Sequence, residues 1–310
     1  MTYEPFTRNG LILLDVIRPF VTERTLRRDL AAGTLLRLRR GVFVDSTQWA
    51  KLSPRGQHIY KMRAVAALAR HSVLFCGESA AAAWNMPING DWPDDVSVLE
   101  PWRGGGQSNP GVRKVSTGAT TARTVTINSL VVTDLARTVL DVARPRSFTD
   151  AIGSVDWALW RKNTHAITAD DLLADLRLLN PRVGGIHLQR LIEFATPLSD
   201  SFWESVARAV IYQLGFVAPE LQVRLSDSRG EMLPDFCWRS VNVLGEFDGK
   251  EKYTRDEYTN GDPSDVAWRE KRREDRLRAL GFTVVRIVAD DVANPAKLEK
   301  LLVDAGVPRR

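Results

Sequence analysis

Cysteine is nearly absent from this chain. Its 310 residues include two, Cys76 and Cys237, far apart in the sequence. That excludes a disulfide-framed secreted fold and any cysteine-rich zinc module, and it leads us to expect a reducing, cytoplasmic setting. Histidine is scarce too, with four residues scattered along the chain. A histidine-rich metal centre is therefore not expected, and a metal, if used, is expected on carboxylates. No uncharged apolar run approaches the ~18 residues that a membrane span needs. The opening MTYEPFTRNG has no basic stretch followed by an apolar core, so no secretory leader is expected. There is no internal repeat and no low-complexity tract.

What is present is an ordinary globular composition, 44% hydrophobic and 26% charged. Lys and Arg total 43 against 38 Asp and Glu, a net charge of +5 that permits a nucleic-acid partner without requiring one. The length suggests two or three domains, and three zones separate by texture. Zone 1–50 reads as a helix over residues 11–17 stopped by Pro19, then a helix capped by Thr22 and closed by Gly33. A basic hairpin over 34–44 follows, turning at Gly41. This order is the pattern of a winged helix. Arg24, Arg27 and Arg28 on its second helix can meet a major groove and phosphates, and Arg37, Arg39 and Arg40 can reach the backbone or minor groove. The ordinary alternative is a small exposed domain in which Arg and Leu simply alternate. Zone 51–198 mixes short strands (73–75, 96–99, 124–132) with helices, one of them framed at its start by Thr168 and Asp171, a mixed α+β texture. Gly104, Gly105 and Gly106 lack the strand–helix and Lys context of a phosphate loop and read as a turn. Ser79 and His71 do not make a hydrolase set, because no strand-elbow motif surrounds the serine.

Zone 199–310 is the most informative. A helix over 201–214 is followed by strands at 216–225, 231–238 and 241–247. A charged helix over 264–280, a buried-type strand at 282–287 and a last helix come next. The order α-β-β-β-α-β-α makes an α/β core with a mixed sheet. Pro234-Asp235 stands near the end of the second strand, and Glu246 and Asp248 stand on the third. Alternation points those last two to one face. Carboxylates on neighbouring strands can hold a hard cation such as Mg²⁺ or Mn²⁺, which stabilises charge on a phosphodiester under attack and activates water. Lys250 or Lys252 can support the attacked phosphate. The ordinary alternatives are a turn at Asp248-Gly249 and a solvent-facing Asp235. Glu204 has capping-box spacing from Ser201. On the charged helix, Val266, Glu270, Arg273, Leu277 and Leu280 form one stripe, apolar at its ends and charged in its middle. Those charges need partners and can face the carboxylates. The alternative is an i,i+3 pair on a partly solvated face. Arg269, Lys271, Arg272, Arg276 and Arg278 would line the outside as a phosphate-binding rail, with Arg269 and Arg273 as candidate DNA contacts; the ordinary alternative is a solvated charged helix.

The run LPDFCWRSVNVLGEFDGKEKY with WREKRREDRLRALGFTVVRI resembles the Vsr-like domain of the PD-(D/E)XK nuclease superfamily over about residues 199–303. Its marks are SFWE, Pro219, Gln222, Asp235, Glu246-Phe247-Asp248-Gly249 and REDRLRALG. The resemblance implies a metal site of Asp235, Glu246 and Asp248 with Glu204 assisting. Many relatives carry a His shortly after the Asp-Gly, where this chain has Lys252-Tyr253. TERTLRRDLAAGTLLRLRRGVFV, GESAAAAWNMP and VTDLARTVLDVA resemble AbiEi-family antitoxin-like proteins. Together these imply a winged helix at 1–50, an AbiEi-like middle at 51–198 and a nuclease-like domain at 199–310. The implied function is a Mg²⁺-dependent DNA endonuclease with DNA as partner, no membrane and no small-molecule cofactor. The alternative is a non-catalytic DNA-binding repressor, with a toxin or a second copy as protein partner.

Overall fold

The computed structural model describes residues 3–100, 110–116, 122–248 and 263–310, the last span by backbone alone as far as residue 270. The turn expected at Gly104–Gly106 and the two candidate lysines, Lys250 and Lys252, lie outside the described residues. The chain is a mixed α+β protein. In order it runs β1 (Thr7–Arg8), β2 (Leu11–Leu13), α1 (Leu14–Ile17), α2 (Glu23–Ala31), β3 (Leu35–Arg39), β4 (Val42–Asp45), α3 (Ser46–Ala50), α4 (Pro54–Leu68), β5 (Leu74–Phe75), α5 (Gly77–Trp84), β6 (Val96–Leu99), β7 (Val112–Val115), β8 (Thr124–Ile127), β9 (Leu130–Thr133), α6 (Leu135–Ala143), α7 (Phe148–Leu159), α8 (Ala169–Leu179), α9 (Gly185–Phe194), α10 (Phe202–Gln213), β10 (Leu225–Asp227), β11 (Gly230–Met232), β12 (Phe236–Trp238), β13 (Val243–Asp248), α11 (Pro263–Ala279), β14 (Thr283–Val288), α12 (Ala289–Ala293) and α13 (Pro295–Asp304). No helix among the described residues is long and apolar enough to cross a membrane.

Two compact units form: Met1–Pro145 with Ile167–Ile192, and Arg146–Ala166 with Glu193–Arg310. Residues 1–50 and most of zone 51–198 thus share one unit, while α7 joins the other. In the first unit, β1-β2-β4-β3 make an antiparallel sheet. Residues 11–13, expected to be helical, are a strand instead. Asn9 and Gly10, at φ 51° and 81°, make the turn that pairs them with Thr7–Arg8. A side chain on Gly10 would collide with the Tyr60 ring. Thr22 Oγ1 caps α2 by accepting from Thr25 N–H. Tyr3, Ile12, Ile17, Leu26, Leu35 and Phe43 fill the core beneath it. A second sheet, β7-β6-β5-β9-β8, packs its own core around Phe75, Met62, Val98 and Val132. The strand expected over 124–132 is a hairpin, since Asn128 and Ser129 both have positive φ. Thr168 and Asp171 close a full capping box on α8.

In the second unit, α7 and α10 are joined through a buried ion pair. Arg208 Nη2 donates to Asp156 Oδ2 at 2.9 Å, and Thr196 N–H donates to Asp156 Oδ1 at 2.8 Å. The Phe202 ring lies where a side chain on Gly153 would be. The sheet is β12-β13-β14, with β12/β13 antiparallel and β13/β14 parallel. One face carries Phe236, Trp238, Val243, Phe247, Val285 and Ile287 into a core shared with α10. The other carries Cys237 and Leu244 against Leu277 of α11. The long strand expected at 216–225 reduces to bridges at Phe216 and Glu220 and the short β10. Pro219 cannot donate to a ladder, and Gln222 turns left-handed at φ 56°.

Candidate active site: carboxylates at the sheet edge

Pairing of Phe236 with Gly245 places the preceding residue, Asp235, opposite Glu246. The backbone bends there so that Asp235 Oδ2 accepts the Phe247 N–H at 2.7 Å. Glu246 and Asp248 alternate onto the α11 side of the sheet, as the spacing predicts, and Phe247 between them is buried on the opposite side. Glu246 is itself only 7% exposed.

Glu204 is both cap and neighbour of the acids. Ser201 Oγ accepts from Glu204 N–H at 3.2 Å, and Glu204 Oε2 accepts from Asp200 N–H at 3.0 Å. Ser201 is thus the N-cap read from the sequence, but the reciprocal bond of a capping box is displaced by one residue, from the Ser201 N–H to the Asp200 N–H. Burial, and after it the negative charge of Asp235, push the Glu204 carboxyl up to about 7. A helix cap alone calls for no such arrangement, because a second acid nearby makes the carboxylate costlier. Glu204 and Asp235 together are a pair that a bound cation would relieve.

The other two acids already have cations. Arg273 of α11 donates from Nη1 to Glu246 Oε2 at 2.6 Å and from Nη2 to Leu233 O at 2.6 Å. Arg273 was expected at DNA as well as facing the acids, and the structure gives it the second place. Arg286 donates from Nη1 to Asp248 Oδ2 at 2.5 Å and from Nε to Glu274 Oε2 at 2.9 Å. Burial works against the Arg286 charge, but its two carboxylate bonds outweigh that and hold it more firmly protonated. Arg286 was not singled out in the sequence. Its signal is an arginine inside the apolar run FTVVRI, paired in register with Glu246. Among the described residues, no three His, Cys, Asp or Glu side chains converge closely enough to enclose an ion as they stand. Glu204 and Asp235 offer the oxygen donors that a hard cation takes, while Glu246 and Asp248 are held by their arginines.

The outer rail of basic residues on α11 is only partly so. Arg276 donates to both oxygens of Asp227, at 2.7 and 2.6 Å, and clamps the β10–β11 hairpin. Arg278 pairs with Glu274. The side chains of Arg269 and Glu270 lie outside the described residues.

In the first unit, Arg24, Arg27 and Arg28 are exposed along one side of α2, at i, i+3 and i+4. Arg37 and Arg40 are exposed and Arg39 half-buried, with a bulge in β3 between Arg37 and Arg39. Arg37, Arg39, Trp49 and Lys61 line a cavity of about 500 Å³. Ser79 does bond a histidine, but it is His58, not His71: His58 Nε2 lies 2.9 Å from Ser79 Oγ. His58 Nδ1 meets Pro93 O at 3.0 Å, and Ser79 Oγ also takes the Ser97 N–H at 2.8 Å. Both side chains are fully buried. This network ties α4, α5 and β6 together and has no access for a substrate.

No family model matches the chain. Two uncharacterized proteins of Mycobacterium tuberculosis, MT2308 of strain CDC 1551 / Oshkosh and Rv2248 of strain ATCC 25618 / H37Rv, are each 30% identical to it over 172 residues. The matched part is 55% of this chain and 59% of each relative, so the chain spans about three fifths of their length. Among solved structures it is similar to the crystal structure of the RV2827C protein of Mycobacterium tuberculosis. That match has a TM-score of 0.39 and 12% identity, covering 63% of this chain and 75% of the other.

Proposed function

We propose that the protein is a cytoplasmic, metal-dependent DNA endonuclease guided by its N-terminal winged-helix region. The carrying observation is the buried Glu204, whose proton affinity is raised by burial and then by the negative charge of Asp235. Perturbed acids in such a place are more common in sites than in scaffolds. Asp235, Glu246 and Asp248 would hold Mg²⁺ or Mn²⁺ with Glu204 assisting. A bound divalent ion supplies charge stabilisation at the attacked phosphodiester and a more acidic water. The chain's own part is to position the acids: the Phe247 N–H fixes Asp235, the Asp200 N–H fixes Glu204, and Arg273 and Arg286 hold Glu246 and Asp248 in place by ion pairs. Lys250 or Lys252 is the proposed cation for the attacked phosphate. The resemblance of residues 199–303 to Vsr-like PD-(D/E)XK domains supports the same reading.

A second reading has its own observation. Glu246 and Asp248 are already neutralised by Arg273 and Arg286. That suits a silent nuclease fold in a DNA-binding repressor, with a toxin or a second copy as its partner. Incubating the protein with Mg²⁺ or Mn²⁺ and duplex, nicked and single-stranded DNA separates the two. The nuclease reading expects cleavage by the wild type and none by Asp235→Ala. Tight DNA binding with no cleavage of any substrate by either protein selects the repressor.

A further inference from the structure

The three arginines of α2 are not equivalent. Arg27 pairs with Glu23 one turn away, both side chains 77% exposed. Such a pair is weak and leaves the guanidinium free to move. Arg24 has no ion pair among the described residues. Arg28 is built differently. Its Nε donates to Asp29 Oδ1 at 2.9 Å, and its Nη2 lies 2.9 Å from the same oxygen. Asp29 faces inward and is only 6% exposed, and its Oδ2 accepts the Tyr3 hydroxyl at 2.8 Å. Tyr3 is itself buried, packed with Ile12, Leu26 and Phe43 in the core of the domain.

A buried carboxylate is costly unless it is fully bonded. Here both of its oxygens are used, one to anchor it to the core and one to hold the inner edge of a surface arginine. The Tyr3 hydroxyl bond keeps the Asp29 carboxyl below the usual range, so it stays charged. Arg has five N–H groups in a planar fork. Asp29 occupies the Nε–Nη2 side, which leaves Nη1 and the outer Nη2 hydrogen at the exposed end. A phosphate contact needs no such fixing, because a mobile cation serves it equally well. Fixing the plane of the fork matters where two parallel hydrogen bonds must meet two acceptors of set geometry. In a duplex major groove that pair of acceptors is the O6 and N7 of guanine.

We propose that Arg28 is the base-reading residue of α2, taking a guanine of duplex DNA, and that Asp29 and Tyr3 are its positioning residues. This rests on the reading that the winged-helix region binds duplex DNA, whether the protein cleaves it or represses from it. Arg24 and Arg27 take phosphates.

The 310-residue chain is used to select from a random-sequence duplex pool, and the retained sites are titrated at several salt concentrations. The wild type enriches a motif containing a G·C pair. Arg28→Lys keeps the charge and the salt dependence but loses about ten- to a hundredfold in preference at that pair. Tyr3→Phe removes one hydroxyl and lowers the melting temperature, because Asp29 loses a bond, but in the protein still folded at the assay temperature it loses about three- to tenfold at the same pair with the salt slope unchanged. Arg24→Ala weakens every sequence alike and lowers the salt slope by about one. If the wild type retains no duplex, the DNA reading itself fails. If it retains duplex without base preference, or with a preference that Arg28→Lys and Tyr3→Phe leave intact, this inference fails and the DNA reading stands.

Discussion

Glu204 offers the sharpest stability test of the site. Glu204→Gln keeps the shape of the side chain and its acceptor for the Asp200 N–H at 3.0 Å, but it removes the charge. The carboxyl stands at about 7 in the folded protein against 4.5 for a free glutamate. An acid raised in the folded state binds its proton more tightly there than in the unfolded chain, so it costs stability as pH rises. The cost is absent below 4.5, grows through the interval and is complete above about 7. At about 1.4 kcal/mol for each pH unit between the two values, its ceiling is about 3 kcal/mol. We therefore expect Glu204→Gln to stabilise the protein by about 1–3 kcal/mol at pH 8 and by close to nothing at pH 4.5. Urea denaturation at both pH values reads this directly, with hydrogen exchange in α10 locating the gain in the second unit. Asp235→Asn should reproduce part of it, because the Asp235 charge is the second cause of the raised value. A loss of stability at both pH values, or a gain independent of pH, would refute the reasoning. A variant that gains stability while losing DNA cleavage would show the acids to be held together at a cost for function.

Other consequences are equally concrete. Arg208→Met leaves Asp156 and the Phe194 carbonyl without the donor that serves them at 2.9 Å, and should cost about 3–5 kcal/mol by urea denaturation. Adding Asp156→Leu should recover most of that, and a double variant no better than the single one would count against the pair. Burial lowers the His58 pKa below 6.5, so folded His58 resists protonation more than the unfolded chain does. Stability is then fully present above 6.5 and falls as pH drops below it. His58→Gln should flatten that fall in a pH series of melting temperatures, whereas an unchanged slope assigns it elsewhere. Ser129 turns the β8–β9 hairpin at φ 67°, a conformation glycine adopts without strain. Ser129→Gly should raise stability by about 0.5–1 kcal/mol, with the hairpin amides protected longer in hydrogen exchange.

Local signals in the sequence carried far. Thr22 with Gly33, Thr168 with Asp171, and Ser201 with Glu204 mark helix ends because capping chemistry is short-range. The strand alternation through Glu246, Phe247 and Asp248 was legible for the same reason. What was not legible depends on distant partners. Asp156 reads as a polar position on a helix of the middle zone, and its burial is explained by two distant partners, the Thr196 N–H and Arg208 of α10, which tie α7 into the C-terminal unit. Residues 11–13 fit a helical stretch by composition, yet the Asn9-Gly10 turn pairs them as a strand. The acids of the site were visible by residue type. Their arginines were less so: Arg273 stood out as a charge on a core-facing stripe, whereas Arg286 needs the parallel pairing of β13 with β14 to be placed. Tyr3 and Asp29 lie 26 residues apart, and nothing local links them.

The most direct test of the central proposal is conversion of supercoiled plasmid to nicked or linear DNA in Mn²⁺, with the wild type beside Asp235→Asn. The variant keeps an oxygen to accept the Phe247 N–H at 2.7 Å and removes only the negative charge. The account predicts metal-dependent cleavage by the wild type and a fall of at least about a hundredfold in the folded variant. Equal rates in the two proteins, or no cleavage by a wild type that binds the plasmid, would contradict it.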